Sequence, residues 1–197
     1  MSNVVIVNAK RSAIGKFLGS LSGLSSVDIG SSVLNSLIES SKIQKSDVDE
    51  VIMGQVLTGG HGQNPARQTM MLSGIPYEKS AVTINQVCGS GLRAIAIGTQ
   101  SILSGQSEIV IAGGQESMSN SHHTANIRNG IKMGDGSLKD SMIVDGLWCA
   151  MNDYHMGTTA ENIAEKYKIS KEEQDSFSVA SQNKAENAQK EGYFKNE

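Results

Sequence analysis

One cysteine stands where a strand-like run gives way to a helical pattern, in the stretch INQVCGSGLRAIAIG from Ile84 to Gly98. Cys88 is followed by Gly89, Ser90 and Gly91, so no bulky side chain comes directly after it. At a helix start, unpaired N–H groups and the macrodipole create a positive potential. A thiol there loses its proton more readily, and the thiolate is the nucleophilic form. The small residues would let a second molecule approach the sulfur and the first-turn amides. A nucleophile with donors beside it is what acyl transfer to sulfur requires, because an oxyanion forms when a thioester carbonyl is attacked. The turn is similar to the strand-to-helix elbow that displays a nucleophile in hydrolases. A small buried cysteine, packed where a strand meets a helix, explains the same pattern without chemistry.

Other reactive side chains are sparse. The second cysteine, Cys149, lies far from the first, with no CxxC and no nearby histidine at ligand spacing, so it reads as packing and no metal site is expected. His122 and His123 fall in a polar stretch and read as solvated loop residues rather than ligands.

Alternating strands and helices must position Cys88. The run Asn3–Ala9 has strand length, and Val27, Leu34, Leu37 and Ile38 recur at helical spacing behind serines that can cap. Asp49–Val56 reads as a second strand; Asn64 and Pro65 suit an N-cap and first helical residue, with Gly74 and Pro76 as stops. Ser80–Val87 is a third strand, Gly89 to about Ser104 a helix, and Glu108–Gly114 a fourth strand. Such alternation predicts an α/β layer with largely parallel pairing. Val4–Val7 and Ile109–Ile111 read as strands covered on both faces. Residues Gln115 to Asn152 lose this periodicity. Two helices follow, each announced by a capping box, Thr158 with Glu161 and Ser170 with Glu173; the second runs to Gly192 as its C′ residue.

Composition excludes several classes. Hydrophobic residues at 38% and charged residues at 19% allow a real core and argue against wholesale disorder. A net charge of −3 with four arginines leaves no basic footprint for nucleic acid. No apolar run approaches the roughly 18 residues of a membrane helix. The N-terminus has no basic segment ahead of its apolar run, so a cytoplasmic protein with reduced thiols is expected.

At these residues the chain becomes recognisable. NQVCGSGLRAI resembles the active-cysteine segment of the thiolases, specifically the short-chain acetyl-CoA acetyltransferases. GQVLTGGHGQNPARQ, IVIAGGQESMS, KMGDGSLKDSMIVDGL, YHMGTTAENIAEKYKIS and EEQDSFSVASQNKAENAQKEGYF resemble further thiolase segments in the expected order. The resemblance implies the N-terminal βαβ-rich half of a thiolase-like fold over residues 1–115. Residues 116–197 would open the inserted loop domain that serves substrate binding and tetramerisation. It implies an acyltransferase that interconverts acetoacetyl-CoA and two acetyl-CoA through an S-acetyl-cysteine on Cys88, with coenzyme A thioesters as substrates and no cofactor. The histidine before Met-Gly in YHMG resembles the acetoacetyl-handling members. By position, Leu147, His155 and Met156 would line the acyl and pantetheine pocket; a core methionine and a surface cap are the plain alternatives for Met156 and His155. Asn126–Met133 falls where related enzymes carry a loop joining subunits, which implies a homo-oligomer of tetramer type.

The sequence departs from the family in one respect. The C-terminal half carries GHP and CxGGG type motifs, with the base and the second cysteine, and neither string occurs here. Lacking an acid–base partner, which typically contributes about 10²–10⁴-fold, the chain alone is expected to be inactive or incomplete. It would act with a complementary chain, or else be a non-catalytic protein that keeps the fold for binding or assembly. Ketoacyl synthases share the fold, but their sequence around the cysteine differs.

Overall fold

The computed structural model describes residues 3–197, and their contacts divide the chain into two compact units that meet in sequence at Gly146 and Leu147.

In the first unit, Ser25 caps α1 (Ser26–Ser41) through a reciprocal box with Asp28, as its serines suggest. Strand β1 (Glu50–Gly54) leads to α2 (Pro65–Leu72), whose N-cap Asn64 accepts a hydrogen bond from the Arg67 N–H with Pro65 at the first position. Then come β2 (Ser80–Ile84), α3 (Ser90–Leu103) and β3 (Val110–Gly114). The three strands pair in parallel in the order β2-β1-β3, with Val51 opposite both Ala81 and Ile111.

The alternation along β1 sorts the layers. Val51 and Met53 join Leu34 and Ile38 of α1, Ala66 and Met70 of α2, and Ile111 of β3 in one core. Ile52, fully buried, points the other way with its register partner Ala112. There Gly98 of α3 lies so close that an added Cβ would sit 3.0 Å from Val110. Each fully buried aliphatic side chain contributes roughly 1.5–3 kcal/mol. The chain steps from β1 to β2 through α2, then back past β1 to β3 through α3. Right-handed crossovers in opposite directions place their helices on opposite faces. All three strands therefore end at the same edge, the place where open α/β sheets bind ligands.

The expected strand Asn3–Ala9 does not form. The segment is unpaired, and Val5, Ile6 and Val7 are 69%, 78% and 81% exposed rather than covered on both faces. Apolar composition favours a strand, but only a neighbouring backbone completes one, and none of the three strands pairs with this run. Asn8 instead ties it to the end of α1, donating to Ser40 Oγ and Ser41 Oγ at 2.8 Å each. After β3 the first unit holds one further short antiparallel pair, β4 (His123–Thr124) with β5 (Lys139–Asp140).

In the second unit, β6 (Trp148–Cys149) pairs with β7 (Tyr154–His155) in a hairpin, followed by α4 (Met156–Tyr167) and α5 (Lys171–Lys190). Helix α5 has the expected capping box of Ser170 and Glu173, and Gly192 follows its C-cap at φ +71. Helix α4 departs from expectation: it begins at Met156, so Thr158 lies inside its first turn. The cap is His155, whose Nδ1 accepts the Gly157 N–H at 3.0 Å and so satisfies an orphan donor two residues further on. No helix among the described residues is long and apolar enough to cross a membrane.

Candidate active site

Cys88 lies in the tight connection from β2 to α3, just before the N-cap Gly89. It is exposed and reduced, so the packing alternative from the sequence does not describe it. Its display depends on the preceding residue. Val87 adopts φ +50, a left-handed conformation that strains a β-branched side chain by roughly 1–3 kcal/mol. Local hydrogen bonds over-determine it. The Val87 N–H donates to Asn85 Oδ1 at 2.8 Å, and its carbonyl accepts from Ser90 Oγ at 2.6 Å and the Ser90 N–H at 3.1 Å.

The same bonds correct one expectation. The N–H groups of Gly89 and Ser90 donate back to the carbonyls of Gln86 and Val87, both at 3.1 Å. These two amides stabilise the turn rather than face a ligand. Gly91, the next position, has no intrahelical acceptor by the geometry of a helix start.

Two glycines bring the three strand ends against this turn. A Cβ on Gly54, at the end of β1, would lie 2.6 Å from the Ser90 backbone carbon, and one on Gly114 would lie 3.5 Å from the Gly91 Cα. At Gly54 backbone meets backbone so closely that any side chain would prevent it, whereas at Gly114 an added Cβ would make only ordinary contact. The result is a cavity of about 310 Å³ at the carboxyl edge of the sheet, lined by Cys88 with Gln55, Val56, Val87, Ser90 and Glu116 among others.

Glu116 is the residue that sequence reasoning missed. Its carboxylate accepts the N–H of Val56 at 2.8 Å and of Leu57 at 3.3 Å, fixing the end of β1. Burial pushes its pKa above the usual carboxylate range, with those two donors opposing the shift. The available signal was its place two residues past a parallel strand, where such folds set functional groups. Beneath it runs a buried amide chain. Thr69 Oγ1 donates to Gln115 Oε1 at 2.7 Å, Gln115 Nε2 to Gln55 Oε1 at 3.0 Å, and Gln55 Nε2 to the Leu57 carbonyl at 2.9 Å.

The three residues expected to line the acyl and pantetheine pocket lie in the second unit. Leu147, half-buried, precedes β6; His155 pairs in register with Trp148; and Met156, 37% exposed, opens α4. The hairpin thus gathers the three. His155 is a surface cap, and Met156 is not a core residue. Cys149 is not packed in a core either. It is half-exposed on the hairpin, its sulfur accepting from Asn152 Nδ2 at 3.2 Å. Donors from Asn152 and Met151 hold its pKa below the usual thiol value. His122 is exposed, and its ring lies 5.1 Å from that of His61. Burial, and secondarily the charge of His122, lower the His61 pKa. No group of three or more His, Cys, Asp or Glu is gathered at metal-holding distances among the described residues.

Comparison with known proteins gives this geometry its context. The family model for the thiolase N-terminal domain matches residues 4–197. Acetyl-CoA acetyltransferases of Allochromatium vinosum and Paracoccus denitrificans are 58% and 56% identical over 99% and 100% of this chain, and 50% of each relative is covered. The probable acetyl-CoA acetyltransferase of Escherichia coli is 52% identical over 100% of this chain and 50% of its own length. The chain spans about half the length of the curated relatives it matches. An exposed cysteine at the strand-to-helix turn of a parallel sheet, in a sequence matched along almost all of its length, places this chain in the thiolase family, within its N-terminal domain.

Proposed function

We propose that this chain is the cysteine-bearing portion of an acetyl-CoA C-acetyltransferase, with Cys88 as the acyl-accepting nucleophile. One observation carries the reading. Cys88 is exposed at the carboxyl edge of the parallel sheet in a chain more than half identical, along its length, to proteins named for that activity.

The Cys88 thiolate attacks the C3 carbonyl carbon of acetoacetyl-CoA, and the carbonyl electron pair moves to oxygen. Collapse of that oxyanion breaks the C2–C3 bond. The C2 carbanion takes a proton and leaves as acetyl-CoA, and the acetyl group stays on sulfur. The thiol of a second coenzyme A then gives up its proton, replacing the one the carbanion took, and its sulfur attacks the S-acetyl-cysteine; acetyl-CoA leaves as the Cys88 thiolate is restored. Run backwards, the sequence is a Claisen condensation. Of the amides at the start of α3, the Gly91 N–H, which the turn does not use, supports the oxyanion in either direction.

On this reading Leu147, His155 and Met156 contact the acyl and pantetheine parts of the substrate, and no metal or redox cofactor takes part in a step. The resemblance assigns proton transfer to GHP and CxGGG type motifs, so a complementary half carrying them completes the site. A cytoplasmic homo-oligomer, joined through the segment around Asn126–Met133, fits the same reading.

Incubation with acetyl-labelled acetyl-CoA, acid quenching and peptide mapping tests the assignment. One acetyl group is expected on the peptide that contains Cys88, and none in Cys88→Ser. Label on another residue, or no label even with a chain carrying both motifs present, overturns it.

A further inference from the structure

The loop from β1 to α2 and the segment leading into β4 bring together two imidazoles, His61 and His122, that the catalytic reading does not use. Their ring centroids are 5.1 Å apart and their planes are tilted by 56°. Tetrahedral zinc holds each imidazole nitrogen about 2.0–2.1 Å away; with roughly 1.1 Å more from nitrogen to ring centre, two imidazoles on one ion have centroids about 5.2 Å apart. The observed spacing admits a shared ion, and it also lies within the roughly 4.5–7 Å range of rings that merely pack.

The tautomer is set correctly as well. His122 Nδ1 lies 2.8 Å from the Gly59 carbonyl oxygen, which can only accept, so Nδ1 carries the proton. Nε2 of the neutral ring is then the nitrogen with a free lone pair. Donation of the other ring N–H to a backbone carbonyl is the usual outer-shell arrangement of a metal-binding histidine.

Both residues are held from the backbone. The His61 carbonyl accepts from Gln68 Nε2 of α2 at 2.8 Å, and the His122 carbonyl accepts the Ser141 N–H at 3.2 Å. Gly60, at φ +80, allows the approach, since a Cβ there would lie 2.5 Å from His122 Nδ1.

The geometry points to a divalent transition-metal site formed by His61 and His122, with zinc as the fitting ion and water completing its coordination. Imidazole suits zinc, copper and nickel. Such a site would pin the loop that leaves the end of β1 to the segment that follows β3, without entering the chemistry at Cys88.

Zinc ion titrated calorimetrically into the full chain tests this, with Cys88→Ser and Cys149→Ser introduced so that thiols cannot take the metal. One equivalent per chain is expected to bind. His61→Ala and His122→Ala should each weaken binding by more than the roughly 10–100-fold that even an outer-shell change costs. His123→Ala, the adjacent exposed histidine, should leave affinity unchanged, and circular dichroism should report the same fold in all three variants. No binding to the thiol-free protein would mean that the rings only pack against each other, and overturns the site. Binding that survives both His61→Ala and His122→Ala, or that is lost with His123→Ala, overturns it equally.

Discussion

Ser90 Oγ accepts the Gln86 N–H at 2.8 Å while donating to the Val87 carbonyl at 2.6 Å, so one buried hydroxyl closes the turn that carries Cys88. That clasp opposes the strain at Val87. Ser90→Ala removes both bonds and leaves the Gln86 N–H without its partner. We expect a loss of about 1–3 kcal/mol in stability, read from the urea midpoint. A midpoint unchanged from the parent would show that Val87 is held by Asn85 and the backbone alone.

Glu116 makes stability depend on pH with a definite sign. Its folded pKa is raised above the ordinary value of 4.5 because burial disfavours the charged form. The folded chain therefore holds the proton to higher pH than the unfolded chain. The penalty is absent below the unfolded pKa and grows as pH rises through the folded one. Relative to Glu116→Gln, the parent should lose stability as pH climbs from about 4.5 toward neutrality. Urea midpoints of both proteins across that range are the check, and a constant difference between them would contradict the assignment.

The two thiols should be distinguishable. Cys88 is the more exposed and is expected to alkylate first under limiting iodoacetamide. Donors at Cys149 favour its thiolate and narrow the gap. In a Cys88→Ser background, Asn152→Ala should raise the Cys149 pKa and slow its labelling at neutral pH. Peptide mapping over a pH series reads this directly; labelling that is no slower in Asn152→Ala would mean that the backbone donors of Met151 and Asn152, rather than the Asn152 side chain, tune the thiol.

The bare apolar residues of the first unit should associate. Val5, Ile6 and Val7 are exposed in sequence, as are Ile14, Leu92 and Leu103. Contiguous exposed apolar surface beyond a few hundred Å² is uncommon on soluble monomers. The isolated chain is expected to bind a hydrophobic dye and to scatter more light per unit mass as concentration rises. A monodisperse monomer at high concentration, with no dye binding, would show that this surface is tolerated.

Local chemistry made much of this molecule legible before folding. Caps such as Ser25 with Asp28, Asn64 with Pro65, and Ser170 with Glu173 are satisfied within one turn, so sequence alone determined where α1, α2 and α5 begin. Strand and helix periods along Asp49–Gly114 determined the α/β alternation, and with it the placing of Cys88 at a helix start. Tertiary structure decided what depends on a partner distant in sequence. Asn3–Ala9 has strand composition but no paired neighbour, and a strand exists only through another backbone. Val87 carries no mark of a left-handed φ, because the serine that holds it belongs to the next element. Glu116 reaches the Cys88 cavity only because β3 lies beside β1, and His61 meets His122 only where two loops converge. Periodicity and capping are decided among neighbours a few residues apart, whereas cavities and side-chain pairs are decided by which elements the sheet brings side by side.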